Sequence, residues 1–444
     1  MSVNIARRTF MSDMAAAAAA FHIVPRYVLG GPGFRAPSDK LNVACIGVGG
    51  MGHSDVRGVS GENVYALCDV DDRRAARSFD EHPRAKRYKD FRVMLERDGD
   101  NIDAVTVSTP DHTHAVAAMM ALKMGKHVYC QKPLTRTIWE SQQLAGAARD
   151  ARVSTQMGNQ GHSWEGTRQI REWVEAGWIG TVREVQYWTN RPIWPQAIDR
   201  PLEAHHVPQR LDWDLWLGPA PPRPYHPAYV PFSWRGWWDF GTGALGDIAC
   251  HSMDAAFWAL DLGYPSRIEP ESTTLFEETA PAASRITYHF PARGNRVPVT
   301  VVWRDGNLTP PRPKDLADGR SWPWGDSGQL WVGDEGTLVA GIYGDDPRLV
   351  NAQRQAELMA DPPEERYPRT EGVYAEWIDA CKSGGTGGSD FAAHAGPLTE
   401  MVLLGNLAVR TAKVLELDPQ TGRITNTTIP EEYMKPELRE GWSL

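Results

Sequence analysis

Residues 40–59 read KLNVACIGVGGMGHSDVRGV. An apolar run rich in strand formers, Val43 to Ile46, stops at a cluster of Gly47, Gly49, Gly50, Met51 and Gly52, after which come residues able to open a helix. Glycines at this spacing allow a tight turn and a close backbone approach, and they aim a helix amino terminus at a pyrophosphate. The motif alone is weak evidence, so the next strand decides. That apolar run, NVYALCDVDD, ends with Asp69, 17 residues beyond Gly52. A carboxylate at that distance suits hydrogen bonds from an adenosine ribose and repels a 2′-phosphate. The reading is therefore NAD rather than NADP, with Arg73 and Arg74 the only nearby features that would suit the latter.

The alternation of strand and helix continues down the chain. DRRAARSFDEH and FRVMLERDG read as helices, DAVTVSTP as a strand, HAVAAMMALKMG as a helix and HVYCQKPL as a strand; WESQQLAGAARDA and VSTQMG give a last helix and strand. Strands alternating with helices predict an α/β class, with a doubly wound parallel Rossmann sheet over residues 40–160. Ligands bind outside the carboxyl ends of such strands, which singles out two loops, TPDHTH (109–114) and QKP (131–133). After Gly158 the pattern changes to a helix, EGTRQIREWVEAG, and then to alternating strands: TVREVQYWTN, SRITYHF, VPVTVVW, GQLWVG and GTLVAGIY. Residues 161–430 are expected to form an α+β domain with an open, mostly antiparallel sheet. Two closing helices, near 372–383 and 396–414, are expected to pack back on the first domain.

Within the second domain, GALGDIACHSMD (243–254) continues apolar to Leu260. Wrapped as one helix, it sets Asp247, His251, Asp254 and Trp258 along one face. Buried carboxylates and imidazoles need partners or a task.

These stretches in this order resemble the Gfo/Idh/MocA family of pyridine-nucleotide oxidoreductases. Most members have Glu-Lys-Pro where this chain has Gln131, Lys132 and Pro133, so the lysine is kept and the acid is replaced. The segments YAEWIDACKSGG and AGPLTEMVLLGN further resemble an exported bacterial branch. The resemblance implies cofactor contacts from Gly47, Gly49, Gly50, Met51, Gly52, Asp69, Thr109, Pro110, His112, His114, Gln131 and Lys132. It also implies homo-oligomer contacts through the second-domain sheet, and convergence of Lys132, Asp247 and His251 where the nicotinamide ends. Hydride transfer from a carbinol carbon needs a base and a donor that steadies the alkoxide. His251 is assigned as general acid/base, Lys132 as donor to the reacting oxygen, and Asp247 as a ligand for a substrate hydroxyl or an orienter of the imidazole.

Between Pro192 and Phe240 lie ten prolines and six tryptophans. Tryptophan faces stack on sugar C–H faces, so a carbohydrate pocket is read from Arg191, Trp194, Arg235, Trp238 and Asp239, with Asp247 and His251. The pairs His112/His114 and His205/His206 lack a third ligand at clear spacing, and no metal is expected. The net charge of −9, from 56 acidic and 47 basic residues without a basic block, argues against nucleic acid. The five cysteines form no framework.

Residues 1–35 contain Arg7, Arg8, Phe10 and an apolar stretch from Met14 to Val24, which reads as a twin-arginine signal to the periplasm; the alternative is a cytoplasmic protein with an amino-terminal arm. The stretch is too short to span a bilayer, and no integral membrane span is expected. Export would separate a retained NAD from the cytoplasmic pool, so the cofactor would be recycled internally. The leading expectation is an oxidoreductase of a sugar, polyol or glycoside hydroxyl. The alternatives are a redox-assisted glycoside hydrolase or lyase using bound NAD, and a non-catalytic dinucleotide sensor.

Overall fold

The computed structural model describes residues 39–319 and 325–444; the twin-arginine reading at 1–35 lies outside them. No helix among the described residues is long and apolar enough to cross a membrane. The first domain alternates β1 (Asn42–Ile46), α1 (Met51–Gly58), β2 (Asn63–Cys68), α2 (Asp72–Glu81), β3 (Lys86–Tyr88), α3 (Phe91–Asp98) and β4 (Ala104–Val107). It continues through α4 (Asp111–Lys123), β5 (His127–Cys130), α5 (Ile138–Ala151) and β6 (Thr155–Met157). The strands form one parallel six-stranded sheet in the order β3-β2-β1-β4-β5-β6. Every residue of β4 is buried, as helices on both faces require. The order reverses between β1 and β4, and their register, Ile46 opposite Val107, puts Gly47 beside Ser108 at the switch point. Local signals agree with the frame: Asp71 caps α2, and Thr137 and Glu140 form a capping box on α5.

The second domain contains α6 (Glu165–Glu175), β7 (Val182–Trp188), α7 (Trp213–Leu217), α8 (Gly243–Ser252) and α9 (Asp254–Ala259). Strands β8 (Arg267–Ser272), β9 (Ser284–Phe290), β10 (Val299–Arg304), β11 (Gly328–Gly333), β12 (Thr337–Ala340), β13 (Arg348–Leu349) and β14 (Leu415–Glu416) join β7 in an eight-stranded sheet. Its order is β13-β12-β11-β7-β10-β9-β8-β14, and only the β7/β10 pair is parallel among the described strands. The strict burial alternation of β9 marks a sheet with one face packed and one wetter.

Of the last helices, α10 (Ala352–Ala360) lies at the edge, α11 (Val373–Ser383) packs Val373 and Trp377 into the core under β1 and β2, and α12 (Gly396–Thr411) runs between α5 and α8. The single helix expected over 243–260 is instead two, broken at Met253 (φ −77°, ψ −11°). The two pieces meet different surroundings: Asp247 and His251 border a large cavity between the domains, whereas Asp254 lies against Asn159, His162 and His394 from other segments.

Candidate active site

The carboxyl edge of the first sheet and Asp247, Ile248 and His251 of α8 border a cavity of about 880 Å³, near the upper end for small-molecule sites. At its floor, Gly47 has a φ of +75°, and a Cβ there would come within 2.7 Å of the Ser108 carbonyl. A Cβ on Gly52 would overlap the Gly47 carbonyl oxygen, so no side chain fits at either position. Gly49, Gly50 and Met51 line the cavity, and Gly52 packs behind them. Asp69 is also on the wall. Its carboxylate accepts from the amides of Val48 (2.8 Å) and Gly49 (3.2 Å) through one oxygen and from Asp71 (2.9 Å) through the other. Burial pushes its pKa up despite these donors. The acid read from the sequence as a ribose ligand thus also braces the glycine loop. Arg74 lies across Gly49 and Gly50 and lines the cavity, whereas Arg73 does not.

In the TPDHTH loop, Thr109, Pro110, Asp111 and Thr113 line the cavity. His112 and His114, expected as cofactor contacts, do not. The helical turn of α4 sends both inward: His112 reaches the Trp216 and Phe240 carbonyls (3.0 and 3.3 Å), and His114 spans Thr109 and Pro133 carbonyls (both 2.9 Å). They fasten the loop to its neighbours. Burial pushes both imidazoles down to about 4, against the pull of those carbonyls.

Gln131, the departure from the common acid, now has a physical account. Its amide nitrogen donates to both oxygens of buried Asp55 (2.9 and 3.1 Å), which also accepts from Ser108 and from Tyr374 (2.7 Å). Burial raises Asp55 to about 6, with the three donors opposing. A glutamate at 131 would set a second carboxylate against it.

Lys132 and α8 meet across the cavity. The Lys132 ammonium donates to Asp247 Oδ1 (2.9 Å) and to the Asp247 carbonyl (2.7 Å), and Arg235 Nε donates to the same Oδ1 (2.9 Å). Burial works against ionisation of Asp247, but Lys132 and Arg235 outweigh it and hold the carboxyl well below the usual range. Asp247 therefore holds Lys132 and Arg235, and no hydrogen bond joins it to His251 among the described residues. His251 is 5% exposed, borders the cavity, and keeps Nδ1 buried without a hydrogen-bond partner. Burial, then the Lys132 charge, lowers its pKa well below the ordinary value, so the imidazole is neutral. The Tyr343 ring packs on it at 4.6 Å, near perpendicular.

Of the residues read as substrate contacts, Arg191 and Arg235 line the cavity and three others do not. Trp194 stands behind the wall, its ring 5.8 Å from Phe232 and its Nε1 bound to Gln196. Trp238 lines a separate small crevice, and Asp239 is paired with Arg223. The proline-rich loop is largely a small core of its own, with Trp213 stacked on Trp216 at 4.8 Å and Trp237 and Phe240 fully buried. The aromatic residues that line the cavity instead include Trp164, Trp216, Phe232, Trp234 and Tyr343. Sequence reading missed Asp111 although it sits inside TPDHTH. It is buried, accepts from Thr242 (2.8 Å), and is pushed up to about 7 by burial and then by Asp247. Tyr343, at the end of a strand-like run, carried no signal in the sequence.

Comparison with known proteins agrees with this geometry. Residues 41–159 match the family model described as oxidoreductase family, NAD-binding Rossmann fold, and residues 167–301 match its companion, oxidoreductase family, C-terminal alpha/beta domain; together they cover more than half of the chain. Levoglucosan dehydrogenase of Pseudarthrobacter phenanthrenivorans is 30% identical over 168 residues, 38% of this chain and 35% of that protein. Inositol 2-dehydrogenase of Salmonella typhimurium is 28% identical over 146 residues, 32% of this chain and 43% of that protein. The chain thus spans less than half the length of these two curated relatives. Among solved structures, a levoglucosan dehydrogenase in complex with NADH superimposes with a TM-score of 0.56 at 19% identity, over 85% of this chain and 99% of that one. The WlbA dehydrogenase from Bordetella pertussis, in complex with NADH and UDP-GlcNAcA, gives 0.58 at 17% identity over 85% and 99%. These two likenesses are of fold. With both family models matched in order along one chain, and the glycine loop facing the α8 residues across one cavity, the protein belongs to the Gfo/Idh/MocA oxidoreductase family, and its first domain is an NAD-binding Rossmann domain.

Proposed function

We propose that the protein is an NAD-dependent oxidoreductase acting on a CH–OH group of a sugar, polyol or glycoside. The observation that carries this reading is one cavity bounded at one end by the glycine loop and Asp69 and at the other by Lys132, Asp247 and His251. Bound there, NAD supplies the hydride acceptor or donor. Lys132 uses two of its three N–H donors on Asp247, leaving one for the substrate oxygen, where it stabilises developing alkoxide charge. His251, neutral and bordering the cavity, takes the hydroxyl proton. Asp247 is a positioning residue that fixes Lys132 and neutralises Arg235. The aromatic wall and Arg191 supply stacking surface and hydrogen bonds for a polyhydroxylated ligand.

Retention and internal recycling of the cofactor, with export to the periplasm, belong to the same proposal and rest on Arg7, Arg8 and the apolar stretch after them. The test is to incubate purified protein with NAD and a panel of sugars, polyols and glycosides and follow reduced-nicotinamide absorbance. Turnover with at least one of them is expected. Failure to bind any dinucleotide would overturn the reading. Tightly bound cofactor that is reduced once, with no net turnover, would replace simple dehydrogenation by a redox-neutral cycle.

A further inference from the structure

Asp254 leaves the catalytic face. It lies where three segments meet: the turn Gln160–Ser163 after β6, the start of α9, and the π-helical turn Phe391–Ala395. His162 Nδ1 stands 3.0 Å from Asp254 Oδ2, and His394 Nε2 stands 2.6 Å from Oδ1. The two imidazoles are 4.5 Å apart between centroids, and one nitrogen from each ring and a carboxylate oxygen all fall within 4.8 Å of one another. All three residues are buried, at 3%, 1% and 8% exposure. A second observation concerns Asn159. It is fully buried and gives its Nδ2 to Asp254 (2.8 Å), while its Oδ1, on the same amide head, has no partner among the described residues. Turning that amide over would bring its oxygen to the carboxylate side, where a cation between the two oxygens would make it a ligand.

We propose that His162, Asp254 and His394 form a structural site for one divalent transition-metal ion of the zinc type, with the Asn159 amide oxygen as fourth donor. Two imidazoles, one carboxylate and one amide oxygen are a nitrogen and oxygen set suited to borderline ions. Bonds of ~2.0–2.1 Å in a tetrahedron set donors roughly 3.3 Å apart. The two imidazole–carboxylate contacts, at 3.0 and 2.6 Å, would open by about 0.3–0.7 Å toward that spacing, while the donors, now spread within 4.8 Å of one another, would draw in around the ion. Each neutral imidazole binds with its single N–H on the ring nitrogen turned away from the ion, so binding needs a change of tautomer where the proton now faces Asp254, and no redox change occurs. None of the four residues borders the catalytic cavity, and a closed shell without an open position is the structural kind of site. Such an ion would tie the end of the first domain, the break after α8 and the closing segment together.

The test uses the full chain purified without a polyhistidine tag from cultures supplemented with zinc or with cobalt. About one ion per chain is expected from each culture, with the intense ligand-field absorption of tetrahedral cobalt and imidazole scattering in X-ray absorption. Metal content should fall to background in His162→Ala and His394→Ala and stay at one in His251→Ala. Absence of stoichiometric metal from both cultures would overturn the proposal, as would undiminished metal in folded His162→Ala and His394→Ala. Should those variants fail to fold, cobalt spectra without imidazole ligation in the native chain would overturn it equally.

Discussion

Asp111→Asn should make the protein more stable in neutral and alkaline solution, and the structure sets the size. The Asp111 carboxyl is 2% exposed, and burial, followed by the Asp247 charge, raises it from an ordinary 3.8 to about 7. Below 3.8 the group is protonated in both the folded and unfolded chain and costs nothing. Between 3.8 and about 7 the folded protein keeps a proton that the unfolded chain has released, so stability falls as pH rises. Above that range the loss levels off at about 4 kcal/mol, from 1.36 kcal/mol for each pH unit between the two values. Asparagine has the shape of the protonated acid, can still accept from Thr242, and carries no charge to bury. Urea unfolding of both proteins without NAD, at about pH 5 and about pH 8, should show the variant's advantage growing by about 3 kcal/mol. Parallel pH curves for the two proteins would refute the reasoning.

Replacing His251 with Ala should lower turnover by about 10²–10⁴-fold while leaving NAD affinity, measured by equilibrium dialysis, unchanged; undiminished turnover would remove it as the base. Gln131→Glu should destabilise the chain by roughly 1–3 kcal/mol through repulsion with Asp55, and Asp55→Asn should restore it. A double-mutant cycle by chemical denaturation reads that coupling, and simple additivity would contradict it. Gly52→Ala forces a Cβ into the Gly47 carbonyl, so NAD binding should be lost and the melting temperature should drop; a variant that binds NAD normally would show that the loop yields to the added methyl group.

Much of the first domain was legible because its signals are local. The G-x-G-x-x-G turn, Asp69 and the strand-helix alternation each follow from a few consecutive residues, and the parallel sheet follows from their order. Lys132, Asp247 and His251 could be named as candidates but not related to one another. That Asp247 holds Lys132 and Arg235 rather than His251 depends on how two domains dock. The errors share that cause. His112 and His114 look like loop ligands until α4 is seen to begin at Asp111 and turn them inward. Trp194, Trp238 and Asp239 look like pocket residues by composition, yet the proline-rich loop consumes most of its rings in its own core. His162 and His394 are too far apart in sequence for any ligand spacing to show, and only the fold brings them to Asp254.

Trp377 and Tyr374 of α11, in the closing segment of the chain, change what counts as the nucleotide-binding unit. Trp377 is fully buried against Tyr129 of β5 (5.7 Å), and Tyr374 completes the hydrogen-bonded shell of Asp55 beneath Gln131. Residues 40–160 are therefore not a portable module. Cutting the chain after β6, or grafting that segment onto another partner domain, would expose the Tyr129 face and leave Asp55 one donor short. The cofactor-binding domain is finished only when the last quarter of the chain has been made and folded back, so a ribosome-bound amino-terminal fragment should remain incompletely assembled until α11 emerges.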